Sequence, residues 1–214
     1  MATAIVFDLD GTLADSTGCI IQAYHRVGQT LGLSPVEDRQ IQTRIGLPLR
    51  TMLAELFNLQ DSLLEQAASI YSTEYLKLVA TEEQLFEGAL SMLHRLRQAE
   101  FKLAIATGKS QRGAVNACTR LGLMPLVETV HGILPGTPGK PDPAVLRRAV
   151  VALGVEPEDC IMIGDTTFDL DMARAMLVRS AAVTWGVHSI EQLESSEPSF
   201  IAANPQELQS WLLT

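Results

Sequence analysis

Residues 3–7, TAIVF, form an unbroken apolar run, and comparable runs recur at 102–107 (KLAIAT), 160–165 (CIMIGD), 181–185 (AAVTW) and 200–203 (FIAA). Apolarity that is continuous rather than alternating marks strands covered on both faces, as in a parallel sheet. Helical punctuation lies between the runs. SQRGAVNACTRLG opens on a Ser suited to capping and ends on Gly122. DPAVLRRAVVALG sets Asp142 as N-cap, Pro143 at the first helical position and Gly154 past the end, and Asn204 with Pro205 starts a last helix in the same way. Strands alternating with helices predict an α/β fold with a doubly wound parallel sheet.

The stretch 15–83 breaks this alternation. Ile20, Tyr24, Val27 and Leu31 recur at helical spacing, and Leu64, Ala67, Ala68, Tyr71, Tyr75 and Leu78 form a second stripe. This predicts a helical domain at 15–83 inserted into an α/β core made of 1–14 and 84–214. The Pro/Gly-dense segment LPGTPGKPDP, 134–143, reads as a loop.

The chain of 214 residues can bury a sizeable core, and with aromatics at 5% aliphatic side chains must build it. Sixteen basic against 25 acidic residues give a net charge of −9, which argues against nucleic acid as a partner. A phosphorylated ligand would therefore need local positive charge or a bound cation. Cys19, Cys118 and Cys160 lack metal-type spacing and read as small buried side chains in a reducing compartment. No basic region precedes the first apolar run, and Asp8 interrupts that run too early for a signal peptide or membrane span, so the expected location is cytoplasmic.

Polar residues then gather where the strands end. Asp8 and Asp10 follow the first run, Thr107 closes the second, Lys140 sits in the Pro/Gly loop, and Asp165 and Asp169 follow CIMIG. Ligands of parallel sheets bind beyond the carboxyl ends of the strands. The two-residue strand period would send Asp8 and Asp10 to one side. Like charges about 4 Å apart repel by about 4 kcal/mol at an effective dielectric near 20, so converging carboxylates raise their pKa values or recruit a cation. A hard ion such as Mg²⁺ fits a site without His or Cys. DTTFDLD is no calcium loop, lacking Gly at its sixth position (Leu170) and Glu at its twelfth (Met176). GKS at 108–110 is no P-loop, because the earlier Gly would fall at Leu103 inside a strand. Lys109, two residues past Thr107, competes for phosphate contact but reads first as a solvated lysine near a helix start, and His94, His131 and His188 read as surface residues, with His25 the one to watch.

DLDGT at 8–12, Thr107 after its strand, KPDP at 140–143 and GDTTFD at 164–169 resemble, in order, the four motifs of the haloacid dehalogenase superfamily of phosphotransferases. The helical insertion resembles the C1 cap, and DGTLADS with ATGKS resembles the phosphoglycolate phosphatase branch. The resemblance implies that Asp8 is the nucleophile and Asp10 the general acid and base. It implies that Thr107, Gly108 and Lys140 hold the phosphoryl group, that Asp8, Asp10 (through its carbonyl) and Asp165 bind Mg²⁺, and that Asp169 and Thr12 support them. Arg44 beside IGLPL, 45–49, resembles the cap turn that faces the core site, and GLP equally suits a plain interhelical turn. The implied activity is Mg²⁺-dependent hydrolysis of a small phosphorylated metabolite such as phosphoglycolate. Sugar phosphomutases, which usually show Val in place of Thr12, and pyrophosphatases share the architecture. A phosphate-sensing module without turnover is the non-enzymatic alternative, against which the presence of both Asp8 and Asp10 speaks. One departure stands out: relatives commonly show Ala-Gly after the fourth motif, whereas this chain has MLVRS, so the helix there must end by another device or shift register.

Overall fold

A computed structural model describes residues 3–214. In chain order the elements are β1 (Ala4–Phe7), β2 (Ala14–Asp15), α1 (Thr17–Leu31), α2 (Asp38–Gln42), α3 (Leu49–Phe57), α4 (Asp61–Val79), β3 (Gln84–Leu85) and α5 (Ala89–Gln98). They continue through β4 (Lys102–Ser110), α6 (Gln111–Arg120), β5 (Thr129–Ile133), α7 (Ala144–Leu153), β6 (Cys160–Gly164), α8 (Thr167–Arg174), β7 (Arg179–Val183), α9 (Ile190–Glu194), β8 (Phe200–Ala202) and α10 (Pro205–Leu212). Six strands make one parallel sheet in the order β5-β4-β1-β6-β7-β8.

The central strand β1 shows why its run is continuous. Ile5 and Phe7 pack on one face against α5, α6 and α10, and Ala4 and Val6 pack on the other against α7 and α8. All four are fully buried, so neither face tolerates a polar residue until the strand ends. Chain order runs outward from β1 to β4 and β5, then crosses to β6 on the other flank. The crevice where the order reverses lies beyond β1 and β6, at Asp8 and Asp165.

The chain leaves the sheet layer after Asp15 and returns at Gln84, where the two crossings pair as the short antiparallel ribbon of β2 and β3. Between them α1 to α4 bury a separate apolar cluster built on Ile20, Tyr24, Val27, Leu53, Ala67 and Tyr75. Among the described residues, no helix is long and apolar enough to cross a membrane.

The cap signals act as expected: Ser110 accepts from the Gly113 N–H (3.2 Å), Asn204 from Glu207 (2.9 Å) and Asp142 from Ala144 (2.9 Å), although α7 starts one residue later than its spacing predicts. Two readings need correction. β4 runs on to Ser110 instead of closing at Thr107, and the edge strand β5 has no counterpart among the apolar runs because TVHGI is only alternately buried. The Gly-less segment after α8 ends in a left-handed turn all the same. Leu177 takes φ 58°, and the Leu177 and Val178 N–H groups close on Arg174 and Ala173 in the pattern of a Schellman motif. Leu177 is 86% exposed there, a leucine in a glycine's position.

Candidate active site

Register brings the strand ends level. Phe7 pairs with Ile105 on one side and Ile163 on the other, and the Asp8 N–H donates to the Ile163 carbonyl (2.9 Å). Asp8, Thr107 and Asp165 therefore emerge together at one edge. The pairing of β4 with β5 shifts register between Ala106 and Ser110, the stretch that carries Thr107, Gly108 and Lys109. Such irregularities recur beside active sites because they free backbone groups from the ladder.

Lys140 is fully buried behind Asp8, with its ammonium 2.6 Å from Asp8 Oδ1 and 2.5 Å from Asp169 Oδ1. Asp169 also accepts from the Thr166 hydroxyl (2.7 Å), and Asp165 accepts from the Thr12 hydroxyl (2.9 Å) and the Val187 N–H (2.9 Å). Gly11 is required here: it takes φ 76°, and a side chain on it would occupy the space of the Asp165 carboxylate.

One oxygen each from Asp8, Asp165 and Asp169 lies within 4.8 Å of the others, and all three residues are buried. Three buried carboxylates beside one ammonium carry a formal excess of two negative charges. Burial pushes Asp8 well above the ordinary carboxylate range; Lys140 pulls it back, and Asp169, Asp165 and Asp10 add to the rise. Asp165 is pushed up to about 7 by burial first and Asp169 second. Burial opposes the charge on Lys140, yet Asp169 and Asp8 together hold it above the ordinary lysine range. Asp8 Oδ1 touches Lys140 off the hydrogen-bonding angle and has no aligned donor. This all-oxygen donor set with excess negative charge fits a hard divalent cation. Asp169, expected as a supporting residue, thus stands inside the carboxylate trio, while the Asp10 side chain points elsewhere.

Asp10 faces the cavity. The Ser16 hydroxyl donates to its Oδ1 (2.5 Å), and the Lys109 ammonium lies 3.0 Å from its Oδ2. Lys109 corrects the reading of a solvated lysine: it is largely shielded, donates to the Tyr75 hydroxyl (2.8 Å) and lies 4.4 Å from the centre of that ring. The signal was available in the two-residue strand period, which sets Lys109 on the same face as Thr107 once β4 is extended to Ser110. Tyr75 in turn donates to Glu83 (3.0 Å), which also pairs with Arg120.

A cavity of about 1050 Å³ opens above these groups, with Asp8, Asp10, Thr107, Gly108 and Lys109 on its floor and Tyr24, Gly46, Leu47, Arg50, Tyr71 and Tyr75 among its walls. Gly108 has no room for a side chain, because the Gly46 carbonyl of the helical layer lies against it. Arg44 is not brought to this cavity. Its guanidinium turns instead to Glu55 (3.1 Å) and the Gln40 carbonyl (2.9 Å) of the helical layer, although the neighbouring Gly46 and Leu47 do line the cavity. His188 is buried rather than exposed, its Nδ1 accepting from the Thr167 N–H (3.0 Å).

Comparison with known proteins identifies the family to which this fold belongs. The sequence model of the haloacid dehalogenase-like hydrolases matches residues 5–183. A protein named "Probable phosphatase IndB" from Dickeya dadantii is 32% identical over 94% of this chain and 89% of its own length. A phosphoglycolate phosphatase from Colwellia psychrerythraea is 28% identical over 92% of this chain and 90% of its own. Among solved structures, a haloacid dehalogenase-like hydrolase from Streptococcus pneumoniae superposes with a TM-score of 0.88 at 31% identity, covering 99% of this chain and 98% of that one. The chain belongs to the haloacid dehalogenase-like hydrolase family.

Proposed function

We propose that this chain is a Mg²⁺-dependent phosphatase that hydrolyses a small phosphomonoester through a phosphorylated Asp8. The observation that carries this reading is the packing of Lys140, Asp165 and Asp169 around one nucleophile, Asp8, that faces a cavity. Asp8 attacks phosphorus, and the alcohol leaves with the proton of Asp10; Asp10 then takes a proton from the water that cleaves the aspartyl-phosphate. Lys140 and the Thr107 hydroxyl hold phosphoryl oxygens, with the Gly108 backbone beside them. Asp8 and Asp165, with Asp169 adjacent and the carbonyl of Asp10, would hold Mg²⁺, which would supply charge neutralisation for the phosphoryl group in an acidic protein. Residues 15–83 act as a cap that excludes water and selects the leaving group.

Phosphoglycolate is the leading substrate, in keeping with the relatives that bear that name. A phosphate-release screen with Mg²⁺ over phosphoglycolate, hexose phosphates, nucleotides and pyrophosphate tests the reading. Release from a monoester that stops on chelation is expected; release from pyrophosphate alone, or undiminished rates after exhaustive metal removal, would overturn it.

A further inference from the structure

Asp10 is held at both oxygens, by Ser16 at Oδ1 and by Lys109 at Oδ2. The phosphatase reading, on which this inference rests, requires Asp10 to deliver a proton to the ester oxygen. Of the two partners only Lys109 lines the cavity, so a leaving oxygen entering from the cavity meets Asp10 at Oδ2, beside the Lys109 ammonium. Whatever substituent that oxygen carries then lies within reach of a cation whose side chain is only 13% exposed. An apolar substituent would part Lys109 from its carboxylate and leave a buried cation with only the Tyr75 hydroxyl and ring, an arrangement that costs heavily. An anionic substituent would replace the lost partner. The other cations near the walls do not compete for it: Arg50 is engaged by both oxygens of Glu65 (2.7 and 2.6 Å), Arg120 pairs with Glu83, and Arg112 is exposed.

We propose that Lys109 is a specificity-determining residue that selects phosphomonoesters of short hydroxy acids, whose carboxylate sits one carbon from the ester oxygen. Phosphoglycolate and ethyl phosphate differ only in carboxylate against methyl, which makes them the matched probes. Wild-type protein with Mg²⁺ is expected to favour phosphoglycolate in kcat/KM by at least about tenfold, the scale of one charge-assisted hydrogen bond. Lys109→Met lowers that ratio by about tenfold, and Lys109→Arg retains most of it. Where Lys109→Met fails to fold, Lys109→Gln, which keeps a donor without the charge, carries the same expectation. A wild-type ratio near one overturns the proposal. So does a variant that slows both esters equally, because Lys109 would then serve only to orient Asp10. Wild-type protein that hydrolyses other monoesters but not phosphoglycolate sinks this inference alone, whereas protein that releases phosphate from no ester removes the phosphatase reading with it.

Discussion

Asp165→Asn isolates the electrostatic strain in the carboxylate trio. Asp165 is fully buried, and burial together with Asp169 raises its pKa from 3.8 to about 7. The folded protein therefore keeps a proton that the unfolded chain releases near 3.8. Between those values the folded state binds more protons, so its stability is full at low pH and falls as pH rises toward 7. At about 1.4 kcal/mol per pH unit the loss reaches about 4 kcal/mol. Asn cannot ionise and escapes it. Urea unfolding of both proteins in chelator, from acid to weakly alkaline pH, should show the variant's advantage growing with pH to about 4 kcal/mol at an unchanged m value. Excess Mg²⁺ should close the gap by stabilising the ionised wild type. A stability difference that stays flat within about 0.5 kcal/mol across this range would refute the reasoning.

Lys140→Met should destabilise by about 3–5 kcal/mol, because it leaves Asp8 and Asp169 without their shared ammonium. In a thermal melt that is roughly a 10 °C drop, and a shift under about 2 °C would count against it. Leu177→Gly should stabilise by about 0.5–1 kcal/mol, since relief of left-handed strain outweighs the entropy glycine adds to the unfolded chain. A lower melting temperature would show that Leu177 is not strained. Asp8→Asn should abolish phosphate release while circular dichroism and melting remain those of a folded protein; wild-type turnover in this folded variant would remove Asp8 as nucleophile.

The sheet was legible because β1, β4 and β6 are buried on both faces, which forces continuous apolarity and leaves the first polar residue where that burial ends, at the strand end in β1 and β6 and three residues short of it in β4. Asp8, Thr107 and Asp165 could thus be placed at one edge from spacing alone. β5 escaped because an edge strand needs only alternate burial and TVHGI mixes Thr, His and Gly. His188 escaped for a different reason: its burial involves a partner far along the chain, Thr167, and no local pattern encodes that contact. The face of Lys109 was readable from the strand period, but its shielding by Tyr75 was not. Arg44 shows the reverse failure: a cation in a turn of the expected kind is claimed by Glu55 on its own layer. Leu177 shows that a backbone motif can form without its customary glycine when the flanking hydrogen bonds of the turn are in place.

Acid-quenched mass spectrometry of the working enzyme tests the central claim most directly. During turnover of a phosphomonoester with Mg²⁺, a phosphoryl group is predicted on the peptide that contains Asp8, rising before free phosphate and absent in Asp8→Asn. Steady turnover with the phosphoryl group on another residue, or with none on Asp8 at any quench time, would contradict the account.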